Sequence, residues 1–156
     1  MIILGLDPGS RNFGWAILQS AKDKPIFIKG GSFYLEDSFI GDRLSFLFKE
    51  LRSIICTNSV NGISIEIPEL RGANAKDIYY TCGLSYLLSS LHSIPLRGYG
   101  PRTVKQAITG SGKADKKEVA AALFKEVVLP ENYAFAKDHE SDAAAIAYTY
   151  LYNTYD

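Results

Sequence analysis

Ile2-Ile3-Leu4-Gly5-Leu6-Asp7-Pro8-Gly9-Ser10-Arg11 is the stretch on which the fold turns. The apolar run from Ile2 to Leu6 has the length of a buried strand, and Asp7-Pro8-Gly9-Ser10 is a turn signal that ends it. Working outward, Gly14 to Gln19 reads as a second strand and Ile26 to Tyr34 as a third, with Lys22-Asp23-Lys24-Pro25 as the turn between them. Three consecutive strands predict an antiparallel meander. Between Ser38 and Thr57, Phe39, Leu44, Leu47, Phe48, Leu51, Ile54 and Ile55 recur at helical spacing until Asn61-Gly62 stops the segment before a strand from Ile63 to Ile67. That is a crossover helix feeding a parallel neighbour.

Pro68 through Asn74 reads as a loop, Ala75 to His92 as a helix and Ile94 to Tyr99 as a fifth strand, with Pro101 opening a short helix to Ile108. Thr109-Gly110-Ser111-Gly112 is a break, and two helices follow, Asp115 to Val128 and about His139 to Tyr152. The order predicts an α/β fold with a mixed five-stranded sheet, three antiparallel strands followed by parallel additions, and helices on both faces. A chain of 156 residues with no repeat and no long linker is expected to form a single domain, 1–156. No apolar run approaches the roughly 20 residues that span a bilayer, and strand-like sequence begins at Ile2 without a basic leader, so a soluble cytoplasmic protein with no membrane partner is expected. Cys56 and Cys82 lie in apolar helical stretches without metal-ligand spacing and are read as reduced core thiols.

Three acids stand at the ends of apolar stretches: Asp7, Glu66 within Ile63-Ser64-Ile65-Glu66-Ile67, and Asp142 before Ala143-Ala144-Ala145-Ile146-Ala147. A carboxylate costs several kcal/mol to desolvate unless something cationic compensates, and Mg²⁺ bound by carboxylates and substrate phosphates is one such compensation. Each acid also has an ordinary reading. Asp7 starts a turn, Glu66 and Ser64 alternate onto what could be a solvent face, and His139 and Asp142 share the first turn of a helix, where acids suit the dipole. Gly9 and Gly14 leave the neighbourhood of Asp7 open to close approach by backbone or phosphate. Seventeen basic residues balance seventeen acidic ones, but unevenly along the chain. Arg97, Arg102, Lys105, Lys113, Lys116 and Lys117 face only Asp115 between 97 and 117, whereas Glu131, Asp138, Glu140, Asp142 and Asp156 face only Lys137 from 131 onward. A basic strip beside an acidic pocket suits a polyanion held near metal.

Leu4 to Arg11 with Gly14, then Ile65-Glu66, Arg102-Thr103-Val104-Lys105-Gln106 and His139-Glu140-Ser141-Asp142-Ala143 closely resemble, in order and spacing, the four signatures of RuvC-type Holliday junction resolvases. The resemblance implies an RNase H-like fold, a homodimer, and resolution of four-way DNA junctions by paired symmetric nicks with divalent metal, in recombination and repair. Asp7, Glu66, His139 and Asp142 match the catalytic and metal-binding positions of that family. Two Mg²⁺ ions about 4 Å apart, for which Mn²⁺ can substitute, would activate water and stabilise the leaving 3′ oxygen, giving a 5′ phosphate and a 3′ hydroxyl. In this scheme Asp7 bridges both ions, Glu66 holds one and Asp142 the other, while His139 positions or deprotonates the water or ligates metal as neutral imidazole.

Lys105 and Lys116 match basic positions near the scissile phosphate in the family. Lys113, Arg102 and Arg71 would widen the DNA track, whereas Lys117 reads as an ordinary solvated lysine, and Asp138 and Glu140 as helix-start acids. One departure stands out: where better-known members place an aromatic wedge three positions after the catalytic Glu, this chain has Glu69. Junction opening then falls to Leu70, Tyr79 or Tyr80, or branched substrates such as flaps and forks are accepted more loosely. The helix from Ala75 to His92 is the expected dimer interface. The residues leave two other readings: a catalytically silent junction-binding module, and an actin-like nucleotide-binding protein, which needs two copies of such a fold where this chain supplies one. Host or phage origin and a branch-migration motor are not legible in the residues.

Overall fold

The computed structural model describes residues 1–36, 38–67, 69 and 75–155. The expected loop from Pro68 to Asn74 lies mostly outside them, and with it Leu70 and Arg71. The elements run β1 (Ile2–Asp7), β2 (Asn12–Gln19), β3 (Ile26–Tyr34), α1 (Ile40–Thr57), β4 (Gly62–Glu66), α2 (Ala75–Leu91), β5 (Leu96–Tyr99), α3 (Pro101–Thr109), α4 (Lys116–Glu126) and α5 (Asp138–Tyr155). The sheet order is β3-β2-β1-β4-β5, with β1/β2 and β2/β3 antiparallel and β1/β4 and β4/β5 parallel. This is the mixed five-stranded architecture read from the sequence, with β1 at its centre.

The boundaries moved where pairing and capping override pattern. β2 begins two residues earlier than expected because Asn12 and Phe13 already pair with Tyr34 and Phe33. β4 ends at Glu66 and leaves Ile67 half-exposed, although the Ile67 amide still bonds the Tyr99 carbonyl at 2.9 Å. Helix α4 starts at Lys116 behind a reciprocal capping box, in which the Asp115 carboxylate accepts from the Glu118 amide (2.9 Å) and Glu118 accepts from the Asp115 amide (2.7 Å). Helix α3 opens on Pro101 and closes on Gly110, whose φ of 78° is the left-handed cap conformation.

Apolar clusters cover both faces of the sheet. One face packs α1 and α2 through Leu47, Leu51, Ile55, Cys82 and Leu88 onto Leu4, Leu6, Phe13, Ile17, Ile63 and Ile65. The other packs α3, α4 and α5 through Val104, Ile108, Leu123 and the run Ala143–Ala147 onto Ile3, Ala16 and Leu18. The solvent-face alternative for Ser64 and Glu66 fails for this reason. Ser64 is fully buried, and its hydroxyl donates to the Ile146 carbonyl at 2.6 Å.

Helix α5 lies unusually close to the sheet. A Cβ at Gly14 would collide with the His139 carbonyl, and one at Gly5 with the Ala143 carbonyl. The gap left by Gly14 is therefore filled by the backbone of α5, not held open for phosphate. Cys82 is a buried thiol as expected, and its acidity is pushed down by burial, with a pKa raised to about 11. Cys56 is not a core thiol. It is exposed, because the buried stripe of α1 ends with Leu47, Leu51 and Ile55 and places its neighbour on the outer face.

Candidate active site

β1 and β4 are parallel neighbours paired as far as Leu6 and Ile65, so the next residues, Asp7 and Glu66, stand side by side at the carboxyl ends of adjacent strands. Asp7 is also opposite Gly14 in the antiparallel pair with β2. Because Gly14 admits α5, the first turn of that helix reaches the same edge and brings His139 and Asp142 with it. His139 Nδ1 lies 2.7 Å from Asp7 Oδ2. Ligand atoms of Asp7, His139 and Asp142 all fall within 4.8 Å of one another. Glu66 is outside that tight group but lines one cleft of about 160 Å³ with Asp142, Lys105 and Lys116, floored by Val104, Val119 and Ala145.

The electrostatics are those of crowded negative charge. Burial, then the nearby Asp7 and Asp142 carboxylates, push Glu66 up to about 7, against the opposing pull of Lys105 and Lys116. Asp142 is raised by burial and by Asp7 and is held back by Lys116 and His139. His139 is raised mainly by its hydrogen bond to Asp7, with burial acting the other way. A set of three carboxylates and an imidazole, with burial and mutual repulsion holding one of the acids near 7, fits a divalent cation site. Binding of such a cation would restore the ionised forms.

Lys116 stands where a cation is wanted. It is the first residue of α4, a position at which a positive charge opposes the helix dipole. Its Nζ nevertheless lies 3.5 Å from Asp142 Oδ2 and 3.9 Å from Asp138 Oδ2. Lys105 joins it on the cleft wall from α3. Arg102 and Lys113 are exposed and do not line the cleft, although the 110–113 break folds back so that Gly112 sits against the Arg102 backbone. Lys117 is exposed, and so is Glu69 at the wedge position. Tyr79 and Tyr80 are exposed on the first turns of α2, with Lys76 Nζ 5.8 Å from the Tyr80 ring centroid.

Two residues around the site escaped the sequence reading. Glu140 is not a solvated helix-start acid: it is 2 % exposed, accepting from the Tyr133 hydroxyl and from the Ala136 amide (2.9 Å). Arg43 is nearly buried and ties the turn after Asp7 to α2, donating to the Ser10 carbonyl (3.2 Å) and to Asp77 Oδ2 (2.9 Å). Both carried a signal. Glu140 lies on the stripe shared with Ala143, Ala144, Ala147 and Leu151, and Arg43 on the stripe of Leu47, Leu51 and Ile55, so helical periodicity alone places each on a buried face.

A family model, Crossover junction endodeoxyribonuclease RuvC, matches residues 3–150. The crossover junction endodeoxyribonuclease RuvC of Wolbachia pipientis subsp. Culex pipiens is 29% identical over 154 residues, covering 96% of this chain and 92% of its own. That of Rickettsia massiliae is also 29% identical over 154 residues, covering 97% of each chain. Among solved structures, Thermus thermophilus RuvC superposes with a TM-score of 0.89 at 24% identity, over 99% of this chain and 96% of that one.

Proposed function

The chain belongs to the crossover junction endodeoxyribonuclease RuvC family, and we propose that it is a metal-dependent endonuclease that resolves four-way DNA junctions from the edge where Asp7, Glu66, His139 and Asp142 meet. The convergence of those side chains on the ends of β1 and β4 and the start of α5 carries the reading. A Thermus thermophilus RuvC bound to a Holliday junction substrate shares the fold, with a TM-score of 0.88. The reading places the site in one nuclease domain, 1–156.

The three carboxylates and His139 would hold divalent cations, with Mg²⁺ the hard ion their oxygens suit. When bound, such ions supply a water that deprotonates at neutral pH and positive charge for the leaving oxygen. The remaining work falls to the chain. Asp7 accepts from His139 Nδ1 and thereby orients the ring, leaving Nε2 for a proton from water or for coordination. Lys105 and Lys116 face the phosphate from the cleft wall and offset the charge of the backbone brought against the acids. The hydrophobic floor of Val104, Val119 and Ala145 limits solvent on that side.

Symmetric nicks require two such sites, and we place the homodimer contact on α2. Tyr79, Tyr80, Tyr86, Leu87 and Leu91 are all at least two-fifths exposed on that helix, an apolar surface of the kind that marks a protein contact. One observation favours a broader second reading, cleavage of forks and flaps: exposed Glu69 cannot stack on a base at the wedge position.

The deciding experiment is cleavage of an immobile four-way junction beside a Y-fork and a linear duplex, with Mg²⁺, with Mn²⁺ and with EDTA. Paired symmetric nicks in the junction alone, lost in EDTA, are expected. Equal cutting of the fork would move the assignment to a general branched-DNA nuclease, and tight junction binding without cutting would make the chain a binding module.

A further inference from the structure

Beside the proposed metal ligands stands a carboxylate that faces away from them. Glu140 is interleaved in sequence between His139 and Asp142, yet successive residues of a helix are rotated by about 100°, so it points to the opposite side of α5 from Asp142. There it meets the sheet edge at β3, where Gly30 leaves the space: a Cβ on Gly30 would come within 3.0 Å of Glu140 Cγ. Each of its two oxygens accepts a hydrogen bond, Oε1 from the Tyr133 hydroxyl and Oε2 from the Ala136 amide at 2.9 Å. Tyr133 is itself wedged into an aromatic cluster, with ring centroids 4.8 Å from Phe27 and 5.4 Å from Phe135, and Phe135 packs on Phe27 and Phe124 in turn. Burial and the bond to Glu140 both raise the Tyr133 pKa, which keeps its hydroxyl a donor.

Burying a carboxylate against two neutral donors is a costly way to fill space, since several kcal/mol of desolvation must be offset by hydrogen bonds. What the arrangement does deliver is geometric definition. A two-point acceptor on the first turn of α5, gripped by a side chain and a backbone amide from the preceding segment, sets both the depth and the rotation of that turn. His139 and Asp142 ride on the same turn.

We propose that Glu140 and Tyr133 are positioning residues for the metal site: they lock the first turn of α5 against β3 so that His139 and Asp142 present their ligand atoms to Asp7. The proposal rests on the nuclease reading given above. Glu140 touches neither substrate nor ion, and its effect passes through His139 and Asp142, as outer groups tune metal sites elsewhere.

The test uses the full chain as wild type, Tyr133→Phe, Glu140→Gln, Glu140→Ala and a control, Leu151→Ala, which cuts a cavity at the far end of the same helix. Four quantities are measured: urea stability, Mn²⁺ affinity of the DNA-free protein by electron paramagnetic resonance titration, junction affinity in EDTA, and nicking rate against Mn²⁺ concentration. Tyr133→Phe and Glu140→Ala are expected to weaken Mn²⁺ binding on the order of tenfold or more, to shift nicking toward higher Mn²⁺, and to leave junction affinity in EDTA unchanged. Glu140→Gln, which keeps an acceptor for Tyr133, is expected to fall between wild type and Glu140→Ala. Leu151→Ala should lose stability and keep its Mn²⁺ affinity. Wild-type Mn²⁺ binding in Tyr133→Phe and Glu140→Ala would overturn the proposal, as would a loss in Leu151→Ala equal to theirs. Failure of the wild type itself to bind Mn²⁺ would instead overturn the nuclease reading, and this inference with it.

Discussion

Helices α5 and α2 are nearly the same length, 18 and 17 residues, and both carry acids in their first turn and apolar residues around most of their circumference. Their surroundings differ. α5 is closed in by its own chain, with the sheet on one side and α3 and α4 on the other, and residues 143–147 are all buried. Its side chains there are mostly alanine, which is what lets the helix sink onto Gly5 and Gly14. α2 is covered on one side only. Thr81, Cys82, Ser85 and Leu88 are buried, while Tyr86, Leu87 and Leu91 face outward. A helix that is apolar all round needs cover on all sides. Over residues 143–147 α5 finds that cover within the chain, whereas α2 has an outer side left over, where the proposed second surface would sit. In the proposed reading the enclosed helix carries the metal ligands and the half-covered one the dimer contact.

The contrast is broken most severely at Asp7, the partner of α5. Asp7→Asn keeps the shape of the side chain but removes a ligand charge, a loss of several kcal/mol of transition-state stabilisation, or a rate decrease on the order of 10³. Junction binding should be retained or strengthened, because a repulsive charge has gone. Nicking assays beside mobility shifts check both halves, and wild-type cleavage would remove Asp7 from the metal site.

On α2 the expected effect is on assembly. Leu87→Asp puts a charge in the proposed contact and should cost about 2 kcal/mol or more of dimer affinity, a rise in the dissociation constant on the order of thirtyfold. Monomer stability should move by no more than about 0.5 kcal/mol, as for other surface changes. Sedimentation equilibrium and urea unfolding separate the two, and an unchanged dimer would place the interface elsewhere.

A gentler probe is pH. Glu66, pushed up to about 7, binds its proton more tightly folded than unfolded, so the metal-free protein loses stability as pH rises from about 4.5 through 7. Asp142 shifts in the same direction. His139, also raised, adds stability below its unfolded value of 6.5 that is lost as pH rises through its folded pKa, so all three slopes agree. Urea midpoints in EDTA should therefore be higher at pH 5 than at pH 8, Glu66→Gln should flatten part of the slope, and Mg²⁺ should oppose it by favouring the ionised groups. A metal-free slope of the opposite sign would contradict the crowding at this edge.

The smallest effect is expected at Lys116, which bridges α4 to α5. Lys116→Ala should reduce the slope of log affinity against log salt by about 0.9 for one lost phosphate contact. An unchanged slope would leave Lys116 as a partner of Asp142 alone.

Periodicity and punctuation are enough to read the succession of elements, the antiparallel meander followed by parallel additions, the crossover helix α1 and the strand-end positions of Asp7 and Glu66, because alternation, helical spacing and Gly/Pro turns are local properties of the backbone. The motifs around Asp7, Glu66, His139 and Asp142 likewise point to one family by residue type and spacing alone. What could not be read locally was which faces another element would cover. Whether Ser64 faced solvent depended on α5 lying over it, Cys56 was expected in the core but is turned outward by α1, and of the backbone or phosphate that Gly14 could admit it is the His139 backbone that comes close. Glu140 is the sharpest case. Its spacing from Ala143, Ala144 and Ala147 puts it on a buried face although its type in a first turn reads as a dipole-compensating acid, and only the packing of α5 against β3 and the 133–136 segment supplies the partners that make it an anchor. Sequence determines the direction in which a side chain leaves its own element, whereas burial and partners depend on elements far away along the chain, and those are set only when the whole core closes.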